Sequence, residues 1–511
     1  MLYQNLILLP LQQMAENNFS KIVLQKGNKT TSAGLLYSNA CMLATGLSER
    51  GLKEDDVVLL ALPAEEEFLI IFYALLILRA KIAIIDNEMG SDLYSVKMQQ
   101  LKPKWLFADS KLLLLNKYAF LRKIGARFRK NLPKLYFKDD VQIVATGINL
   151  NFFQRHQTLQ NFFLKAADKK DLQPNDADYE NIVIYTSGTL SEPKGVVHTN
   201  KSLNASLIKM EGLFFGDKNV VLATYLPHFI LIGIACNFLV KILDPTMGAM
   251  KKLSWFSTEQ ITAFFGAPYD YLPLILVCEK MQAKFPTTLK HLIIGSAPVH
   301  KKFLNRLIAV LPKQTKITCI YGMTEHLVTA LVDGREKITY TGEGDLLGKV
   351  VQDVQLTIGA DGEFFVNSAQ CFKKYLHQEE SGAAHPTGDL GSFDGEANLV
   401  LHGRKKDMII RRNFNIYPAL YEDTIRKIPG VTETALVGIY SDEIFDEVVY
   451  LIVETEQESA DDIYEKLQTG IYSIDSEALP DRIIKMQIPR LGRHQKIDKI
   501  KIREMIKAQS L

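Results

Sequence analysis

Cysteine is scarce in this sequence, and its placement argues against two classes of protein. The five cysteines in 511 residues lie far apart, and their odd number leaves one over in any pairing. Neither a disulfide framework nor the short spacing of zinc ligands can be drawn from them. They are Cys41, Cys236, Cys278, Cys319 and Cys371. A reducing compartment is the simplest setting for such a chain, so we expect a cytoplasmic protein.

The sequence also lacks an excess of charge of one sign. It has 60 lysines and arginines against 58 aspartates and glutamates, which gives a formal net charge of +2. A nucleic-acid-binding domain normally carries a concentrated basic surface, so this balance does not favour that class. The chain is 47% hydrophobic and longer than one core usually organises, so we expect at least two packing units and a small-molecule ligand or substrate.

A continuous apolar run long enough to span a membrane is missing. The most hydrophobic stretch, residues 68–86, is interrupted by Arg79 and Lys81 before it reaches the ~20 apolar residues that a span requires. We interpret it as a buried helix followed by a buried strand. The N-terminus has an apolar stretch with no positively charged region before it, which argues against a signal peptide and favours a folded first helix.

Short apolar runs bounded by turn residues alternate with helical patterns before residue 400. They cover residues 56–62, 81–86, 104–109, 181–186 and 291–296. Such strands are typical of sheets that helices cover on both faces, which predicts an α/β fold with ligands at the strand ends. We expect a large N-terminal domain of mixed sheets layered with helices over residues 1–404.

The character of the sequence changes at a charged connector over residues 403–412. Two strand-like runs and one helical pattern follow it, at residues 434–440, 447–455 and 461–474. About a hundred residues are enough for a separate small core. We therefore predict a small α+β C-terminal domain over residues 405–511, with the boundary between Lys405 and Asp407.

One basic segment stands apart from the balanced charge of the rest. Residues 117–138 hold eight lysines and arginines, no acidic residue, and interleaved aromatic side chains. Because its periodicity is imperfect, the segment favours a solvated helical face. A peripheral contact with an anionic membrane surface is the alternative interpretation.

Residues 184–200, IYTSGTLSEPKGVVHTN, place a loop rich in glycine, serine and threonine between two strand-like runs. Such a loop can turn its amides inward and form a nest for polyphosphate oxygens, to which Lys194 adds a positive charge. The P-loop of kinase-like NTPases needs Gly-Lys-Ser/Thr at the start of a helix, whereas Lys194 and Gly195 lead into a second strand here. An ordinary hairpin with a flexible tip is the alternative.

Five sequence blocks, in their order and spacing, resemble the signatures of acyl-adenylate-forming (AMP-binding) enzymes. They are YTSGTLSEPKGVVH (185–198), YGMTE (321–325), TGDLGSF (387–393), GRKKDMIIRRNFNIYPALYE (403–422) and PRLGRHQKIDK (489–499). This superfamily comprises acyl-CoA synthetases, peptide-synthetase adenylation domains and firefly-type luciferases. The resemblance implies ATP-dependent activation of a carboxylic acid to an acyl-AMP with release of pyrophosphate, followed by thioester formation with CoA. An acyl-AMP ligase that loads the phosphopantetheine of a carrier protein, and a non-catalytic ATP-binding relative, are the alternatives.

The resemblance also assigns residues to the phosphates of ATP. A set of small, hydroxyl and basic residues is expected to hold the β- and γ-phosphates: Thr186, Ser187, Gly188, Thr189 and Lys194. Thr324 is expected to contact the α-phosphate, and Glu325 to hold Mg²⁺, a hard cation that prefers oxygen ligands. Two unit anions ~4 Å apart repel by about 4 kcal/mol at an effective dielectric constant near 20, so cations must offset this repulsion.

The nucleoside contacts follow from the same resemblance. Asp389 and Arg404 are expected at the ribose hydroxyls, where a charged acceptor makes strong hydrogen bonds. The backbone of Gly295, Ser296 and Ala297 is expected to lie against the adenine, with Tyr321 stacked on it and Gly322 beside it. A helix entry with Pro298 near its first position is compatible with this role.

The C-terminal block is expected to supply a catalytic lysine, but it departs from the family pattern. Leu491 replaces a threonine, Gln495 replaces a glycine, and the spacing is one residue longer. We predict that Lys496 neutralises the carboxylate and α-phosphate oxygens, with Lys499 as the alternative. A solvated charged tail is the other interpretation.

Residues 225–243 resemble the segment that lines the acyl pocket. Amino-acid-activating relatives usually carry an aspartate there to pair the ammonium group, and none occurs here. The expected pocket residues are His228, Phe229, Ile230 and Gly233. We therefore expect a hydrophobic acid, medium-chain or long-chain fatty or aromatic, although these residues could simply be core.

The small domain of such enzymes rotates about a hinge, which corresponds to Asp407 here. Arg412 and Asn413 stand where acyl-CoA synthetases typically have two glycines. Glycine at these positions allows a close backbone approach or a positive φ. The replacements leave open whether the acyl group passes to CoA or to a carrier protein.

Overall fold

The computed structural model describes most of the chain. The described residues are 5–85, 91–117, 141–147, 157–163, 176–186, 194–297, 299–342, 344–380, 382, 384–405, 408–412, 414–416, 418–472, 474–491 and 496–509.

Strands β1 to β21 precede residue 405. They are β1 Ile22–Lys26, β2 Lys29–Ser32, β3 Val57–Ala61, β4 Lys81–Ile84, β5 Trp105–Asp109, β6 Gln142–Thr146, β7 Gln157–Thr158, β8 Glu180–Thr186, β9 Lys194–Thr199, β10 Val221–Thr224, β11 Leu239–Ile242, β12 Ala263–Gly266, β13 His291–Ile294, β14 Lys316–Met323, β15 His326–Asp333, β16 Asp345–Val350, β17 Gln355–Ile358, β18 Glu363–Asn367, β19 Lys374–Tyr375, β20 His385–Phe393 and β21 Leu399–Arg404.

The helices of the same region are α1 Leu8–Asn17, α2 Ala33–Glu49, α3 Glu66–Ile77, α4 Ser91–Leu101, α5 Ser110–Lys117, α6 Asn200–Gly212, α7 Pro227–Ala235, α8 Ala249–Thr258, α9 Pro268–Met281, α10 Lys301–Val310 and α11 Gly334–Thr339. A 3₁₀ turn covers Leu159–Phe162.

Two large sheets carry this region. The first has the strand order β19-β9-β8-β4-β3-β5-β6-β7, and the second has the order β17-β18-β20-β21-β16-β15-β14-β13-β12-β10-β11-β1-β2. From β4 to β7 in the first sheet, and from β14 to β11 in the second, neighbouring strands are parallel. The antiparallel β8–β9 pair and the long antiparallel β14–β15 hairpin extend these parallel parts.

Helices cover both faces of both sheets. One buried cluster joins α2, α3 and α7 to the inner faces of the two sheets, with Phe72, Ile82 and Val240 among its members. Separate clusters place α4 and α5 on the outer face of the first sheet, and α9 and α10 on the outer face of the second. The predicted α/β class and the layering of helices on mixed sheets are therefore confirmed.

The hydrophobic stretch at 68–86 forms the buried helix and strand that the sequence predicts. In α3 every residue from Phe68 to Leu76 is buried, and β4 follows as an inner strand of the first sheet. Arg79 adopts a positive φ of 57° in the turn between them. Across the ranges given above, no helix is both long enough and apolar enough to cross a membrane.

The C-terminal region has its own elements. They are β22 Ile409–Arg411, β23 Phe414–Ile416, α12 Pro418–Arg426, β24 Val431–Ser441, β25 Asp446–Thr455, α13 Ala460–Gln468, a 3₁₀ turn over Ser476–Ala478, β26 Arg482–Lys485, β27 Arg490–Leu491, β28 Lys496–Ile497 and α14 Lys499–Gln509. The strands form a three-stranded sheet, β24-β25-β26, and two hairpins.

This region has a buried cluster made of its own residues. Ile425, Leu436, Leu451 and Leu467 belong to one buried cluster that joins α12 and α13 to the sheet. The predicted helix over 461–474 is too long, because α13 ends at Gln468 and Gly470 follows with a φ of +72°. The boundary at residue 405 stays a prediction.

The described residues also include contacts between the C-terminal region and α10. Phe445 is 2% exposed and lies 5.5 Å from Phe303 between ring centroids. The rings of Tyr440 and His300 lie 3.9 Å apart, and Lys302 pairs with Asp442 at 3.1 Å. The loop between β24 and β25 therefore packs against α10.

The basic segment and the hinge can be placed only in part. Helix α5 ends at Lys117, and residues 118–140 lie outside the described residues. Asp407 lies outside them as well. The membrane contact and the hinge therefore stay predictions.

Candidate active site

The predicted phosphate-binding loop connects the two strands of an antiparallel hairpin. Thr186, the last residue of β8, pairs with Lys194, the first residue of β9, so the two ends of the loop lie side by side. Lys194 begins a strand, as the sequence predicts, and the helix that a P-loop requires does not follow it. The residues predicted to form the nest, Ser187, Gly188 and Thr189, lie outside the described residues.

Lys194 lies close to the ring of Tyr375. Its Nζ is 4.3 Å from the ring centroid, a distance at which an ammonium group is attracted to the aromatic face. Tyr375 is on β19, which pairs with β9 in antiparallel register. The Tyr375 hydroxyl donates a hydrogen bond to Glu325 Oε1 at 3.0 Å. One tyrosine thus links the predicted phosphate-binding lysine to the predicted metal-binding carboxylate.

Thr324 and Glu325 form the two-residue turn between β14 and β15, in which Met323 pairs with His326. Two long-range hydrogen bonds hold this turn. The Phe372 amide donates to the Glu325 carbonyl at 2.9 Å, and His198 Nε2 lies 2.8 Å from the Thr324 carbonyl oxygen. The turn is therefore fixed by residues from two other parts of the chain.

His198 is buried, and its protonation state follows from that burial. Desolvation lowers its pKa to about 4, although the hydrogen bond to Thr324 acts in the opposite direction. The imidazole is therefore neutral near pH 7. Because a carbonyl only accepts, Nε2 carries the proton, and Nδ1 faces the Ser202 hydroxyl at 3.0 Å.

Tyr321 and Asp389 meet at the predicted nucleoside site. The Tyr321 hydroxyl donates to Asp389 Oδ2 at 2.7 Å, and Asp389 is 3% exposed. On β20, Asp389 is directly opposite Arg404 of β21. Tyr321 also lies on β14, three residues before Thr324. The structure thus brings the predicted ribose-binding residues to the strand that carries the Thr324–Glu325 turn.

The predicted adenine shelf follows β13. The Gly295 amide donates to the Gly266 carbonyl at 3.2 Å, and a Cβ atom at Gly295 would lie 2.7 Å from Ile320 Cγ1. Ser296 has a φ of +65°. The shelf therefore lies between the ends of β12 and β14, with Ala297 next along the chain. Gly322 lies next to Tyr321 on β14, where a Cβ atom would be 3.1 Å from the His326 carbonyl oxygen.

A helix of the second sheet's outer face follows this shelf. Helix α10 starts at Lys301, and His300 is the residue that precedes it. Pro298, interpreted from the sequence as a helix entry, lies outside the described residues.

The predicted acyl-pocket residues lie on α7 and face different surroundings. The Phe229 ring stacks on Phe265 at 3.8 Å, and the exposed His228 ring lies 4.8 Å from that of Phe229. Ile230 is completely buried in the cluster between the two sheets. A Cβ atom on Gly233 would lie 2.5 Å from Val240 Cγ2 on β11, so this glycine lets α7 pack closely. Phe229 and His228 thus lie together, while Ile230 and Gly233 lie against the core.

The two candidate lysines of the last block have different surroundings. Lys499 Nζ lies 2.7 Å from Glu422 Oε1, and the side chains are 14% and 12% exposed. Lys496 is on β28, where its backbone pairs with Leu491. Only the backbone position of Lys496 is described, and the same holds for Arg404 and Thr186.

Arg412 stands at the turn between β22 and β23 with a φ of +57°, a conformation that favours glycine. Its amide donates to both Asp446 carboxylate oxygens at 2.9 and 3.0 Å, and its Nη1 lies 3.2 Å from Glu477 Oε2. The guanidinium carbon lies 4.4 Å from the ring centroid of Tyr269 on α9. The replacement of glycine by arginine thus creates a contact between the C-terminal region and α9.

Sequence reasoning missed three residues that hold the site together: Tyr375, Phe372 and His198. The first two lie outside the five matched blocks, and a two-residue strand such as β19 leaves no periodic signal. His198 ends the first block, and a histidine within an apolar strand was a signal available in the sequence.

Comparison with known proteins gives three principal findings. A family model described as "AMP-binding enzyme" matches residues 11–376. The chain is 30% identical to a feruloyl-CoA synthase from an Amycolatopsis species over 303 residues, which cover 54% of this chain and 60% of that protein. It is 27% identical to the long-chain-fatty-acid–CoA ligase FadD13 of Mycobacterium tuberculosis (strain ATCC 25618 / H37Rv) over 311 residues, which cover 57% of this chain and 61% of that protein. The chain thus spans about 60% of the length of these curated relatives.

The fold is similar to that of solved structures over nearly the whole chain. The amide bond synthetase McbA from Marinactinospora thermotolerans superposes with a TM-score of 0.80 at 17% sequence identity, and the match covers 98% of this chain and 99% of that one. At this identity the likeness establishes the fold. Because the family model covers most of the sequence, the chain belongs to the AMP-binding enzyme family.

Proposed function

We propose that this protein activates a carboxylic acid in two steps. The acid carboxylate attacks the α-phosphorus of ATP and releases pyrophosphate, and the resulting acyl-AMP then passes its acyl group to the CoA thiol, which releases AMP. The observation that carries the proposal is the convergence of Lys194, Glu325 and Tyr375 from separate segments. The names of the curated relatives, which are CoA ligases and synthases, support the second step.

The residues around the loop fit a triphosphate with a divalent cation. Glu325 offers one carboxylate, and the described residues contain no group of three or more histidine, cysteine or acidic side chains that could hold a metal ion. Mg²⁺ typically takes one or two carboxylates and completes its shell with phosphate oxygens and water, so a single carboxylate fits it. When bound, Mg²⁺ neutralises charge on the departing pyrophosphate. Lys194 offsets the repulsion between the acid and the phosphates.

Asp389 is proposed to accept the ribose hydroxyls. The Tyr321 hydroxyl restrains the rotation of the Asp389 carboxylate, which favours a fixed geometry for a charge-assisted hydrogen bond. The backbone of Gly295, Ser296 and Ala297 and the ring of Tyr321 are proposed to hold the adenine.

Lys496 is proposed as the catalytic lysine, and the surroundings of Lys499 support this choice. Lys499 is engaged with Glu422 in a mostly buried ion pair. Removing one partner from such a pair leaves an uncompensated charge and typically costs about 3–5 kcal/mol. A lysine held in this way is a poor candidate for moving to the α-phosphate. Asp407 is proposed as the hinge that lets the C-terminal region bring Lys496 to the site.

The acid is proposed to be hydrophobic, either aromatic or a medium-chain or long-chain fatty acid. The stacked rings of Phe229 and Phe265 offer an apolar wall at the ends of β10 and β12, where ligands of such sheets bind. The relatives named for feruloyl and long-chain fatty acyl groups are consistent with such a substrate.

The test is acid-dependent exchange of labelled pyrophosphate into ATP, with a panel of aromatic acids and of fatty acids of increasing length. We expect exchange with at least one hydrophobic acid, and thioester formation when CoA is added. If no acid supports exchange by the folded protein in the presence of Mg²⁺, the proposed activity is wrong. Exchange without thioester formation would show that CoA is not the acyl acceptor. Another acceptor, such as the phosphopantetheine of a carrier protein, would then replace CoA in the proposal.

Two further predictions concern the surroundings of the protein. The cytoplasmic location rests on the five free cysteines that the structure describes. The peripheral membrane contact over residues 117–138 rests on the basic and aromatic composition of that segment.

A further inference from the structure

Tyr375 contacts two charged groups of the candidate site with two different parts of its side chain. Its ring face lies 4.3 Å from Lys194 Nζ, and its hydroxyl donates to Glu325 Oε1 at 3.0 Å. Lys194 and Glu325 lie far apart in the sequence, on β9 and on the turn between β14 and β15. The tyrosine therefore bridges two separate elements of the site.

The backbone around Tyr375 fixes the position of this side chain. Tyr375 pairs with Val196 of β9, and the Leu376 amide donates to the Gly195 carbonyl at 2.7 Å. The Phe372 amide donates to the Glu325 carbonyl at 2.9 Å, and the Phe372 ring lies 4.7 Å from that of Tyr375. The segment from Phe372 to Leu376 is thus attached both to the start of β9 and to the Thr324–Glu325 turn.

The two contacts have complementary electrostatic effects. The negative face of an aromatic ring attracts an ammonium group without neutralising it, so Lys194 keeps its charge for an anionic ligand. A phenol hydroxyl bonded to a carboxylate makes a charge-assisted hydrogen bond, which restrains the rotation of that carboxylate. One rigid side chain can therefore set both the place of a cation and the orientation of a metal-binding carboxylate.

We propose that Tyr375 is a positioning residue of the adenylation site: it orients Glu325 toward the divalent cation that accompanies ATP and Lys194 toward the phosphate oxygens. This inference rests on the proposed function, and it adds a residue that none of the matched sequence blocks contains. Tyr375 acts through Lys194 and Glu325 and takes no part in bond formation.

The decisive variant is Tyr375→Phe, which keeps the ring under Lys194 and removes the hydroxyl from Glu325. Because hydrogen bonds to charged groups are among the stronger ones, the Mg²⁺ concentration for half-maximal pyrophosphate exchange should rise roughly tenfold. The KM for ATP at saturating Mg²⁺ should change less than about twofold, since the ring remains. Tyr375→Leu should raise both quantities. A role in folding alone would not separate the two parameters.

Mn²⁺ binding in the presence of ATP, followed by electron paramagnetic resonance, gives a readout that does not depend on turnover. Tyr375→Phe should weaken Mn²⁺ binding by a similar factor. Tyr179→Phe is the matched control, because an arginine lies over its ring at 4.6 Å and its hydroxyl donates to the Arg79 carbonyl, at the opposite end of β8. This control should leave both readouts unchanged.

The outcomes separate this inference from the proposed function. If the wild-type protein exchanges pyrophosphate and Tyr375→Phe has the same Mg²⁺ and Mn²⁺ dependence, the inference is wrong and the function stands. An equal change in Tyr179→Phe would also overturn it, since the effect would then be general. If the wild-type protein shows no exchange, the function fails, and the Mn²⁺ titration still decides whether Tyr375 orients Glu325.

Discussion

At the scale of single residues, the site depends on side chains whose charge is set by their immediate surroundings. Burial keeps His198 neutral, so it can donate one hydrogen bond to the Thr324 carbonyl without adding charge beside Lys194 and Glu325. Lys499 is paired with Glu422, whereas Lys496 is on the hairpin next to it. These two contrasts each predict a measurable difference.

The first prediction concerns pH. The pKa of His198 is about 4 in the folded protein and near 6.5 in an unfolded chain, so the unfolded state binds the proton first as the pH falls. The stabilisation is fully present above pH 6.5 and is lost between pH 6.5 and 4, by at most about 3 kcal/mol. Urea unfolding of the wild-type protein should therefore show a steeper loss of stability over this range than His198→Gln.

His198→Gln is a suitable comparison because an amide can still donate to the Thr324 carbonyl. The charge of His198 also lowers the pKa of His326, so the difference between the two proteins reports His198 together with this coupling. Parallel stability curves for the two proteins between pH 6.5 and 4 would show that His198 is not protonated on unfolding, contrary to this account.

The second prediction separates the two lysines. Lys496→Ala should lower the rate of pyrophosphate exchange by about 10²- to 10³-fold, the usual loss for removal of a group that stabilises transition-state charge. It should leave thioester formation from supplied acyl-AMP nearly unchanged. Lys499→Ala should instead lower the free energy of unfolding, because it leaves Glu422 buried without its partner. The reverse pattern would show that our alignment of the last block is shifted.

At the scale of elements, the β22–β23 hairpin contacts α9 through Arg412 and Tyr269. The sequence could predict only part of this arrangement. The resemblance to sequences with glycine at this position left open a close backbone approach or a positive φ, and Arg412 has a φ of +57°. That the guanidinium would lie over Tyr269 could not be predicted, because this contact depends on how the C-terminal region packs against α9.

The third prediction is a double-mutant cycle between Arg412→Ala and Tyr269→Leu, measured by thermal or urea unfolding. A cation over an aromatic ring typically contributes about 0.5–1 kcal/mol at a partly exposed site, so the two changes should be non-additive by that amount. Arg482→Ala combined with Tyr269→Leu is the control and should be additive. Additivity in the Arg412 cycle would show that the contact does not stabilise the protein.

The other sequence predictions succeeded where an element has a local sequence signal. They failed where the element depends on a backbone conformation or a strand pairing that such a signal does not show. Strands β3, β4 and β8 could be predicted because their apolar runs are local signals. Helix α13 was predicted too long because the turn at Gly470 depends on its positive φ, which the helical pattern of the preceding residues does not show. Strand β19 was missed because two residues have no period, and its pairing with β9 joins distant parts of the chain.

At the scale of the whole molecule, the described residues of the candidate site come from both large sheets, because β9 belongs to the first sheet and β13 and β14 to the second. The shelf after β13, the turn after β14 and the lysine of β9 come from three separate segments. Tyr375 contacts both Lys194 and Glu325. The C-terminal region packs against this body through Phe445 and Arg412. This arrangement supports an acid and ATP meeting between the large sheets and the smaller region.

The central claim is that the acid carboxylate attacks the α-phosphorus of ATP, and oxygen labelling tests it most directly. An acid that supports pyrophosphate exchange is prepared with ¹⁸O in both carboxyl oxygens, and the products formed with ATP, Mg²⁺ and CoA are analysed by mass spectrometry. The account predicts one ¹⁸O atom in AMP and none in pyrophosphate. Label in inorganic phosphate or pyrophosphate, with unlabelled AMP, would contradict it.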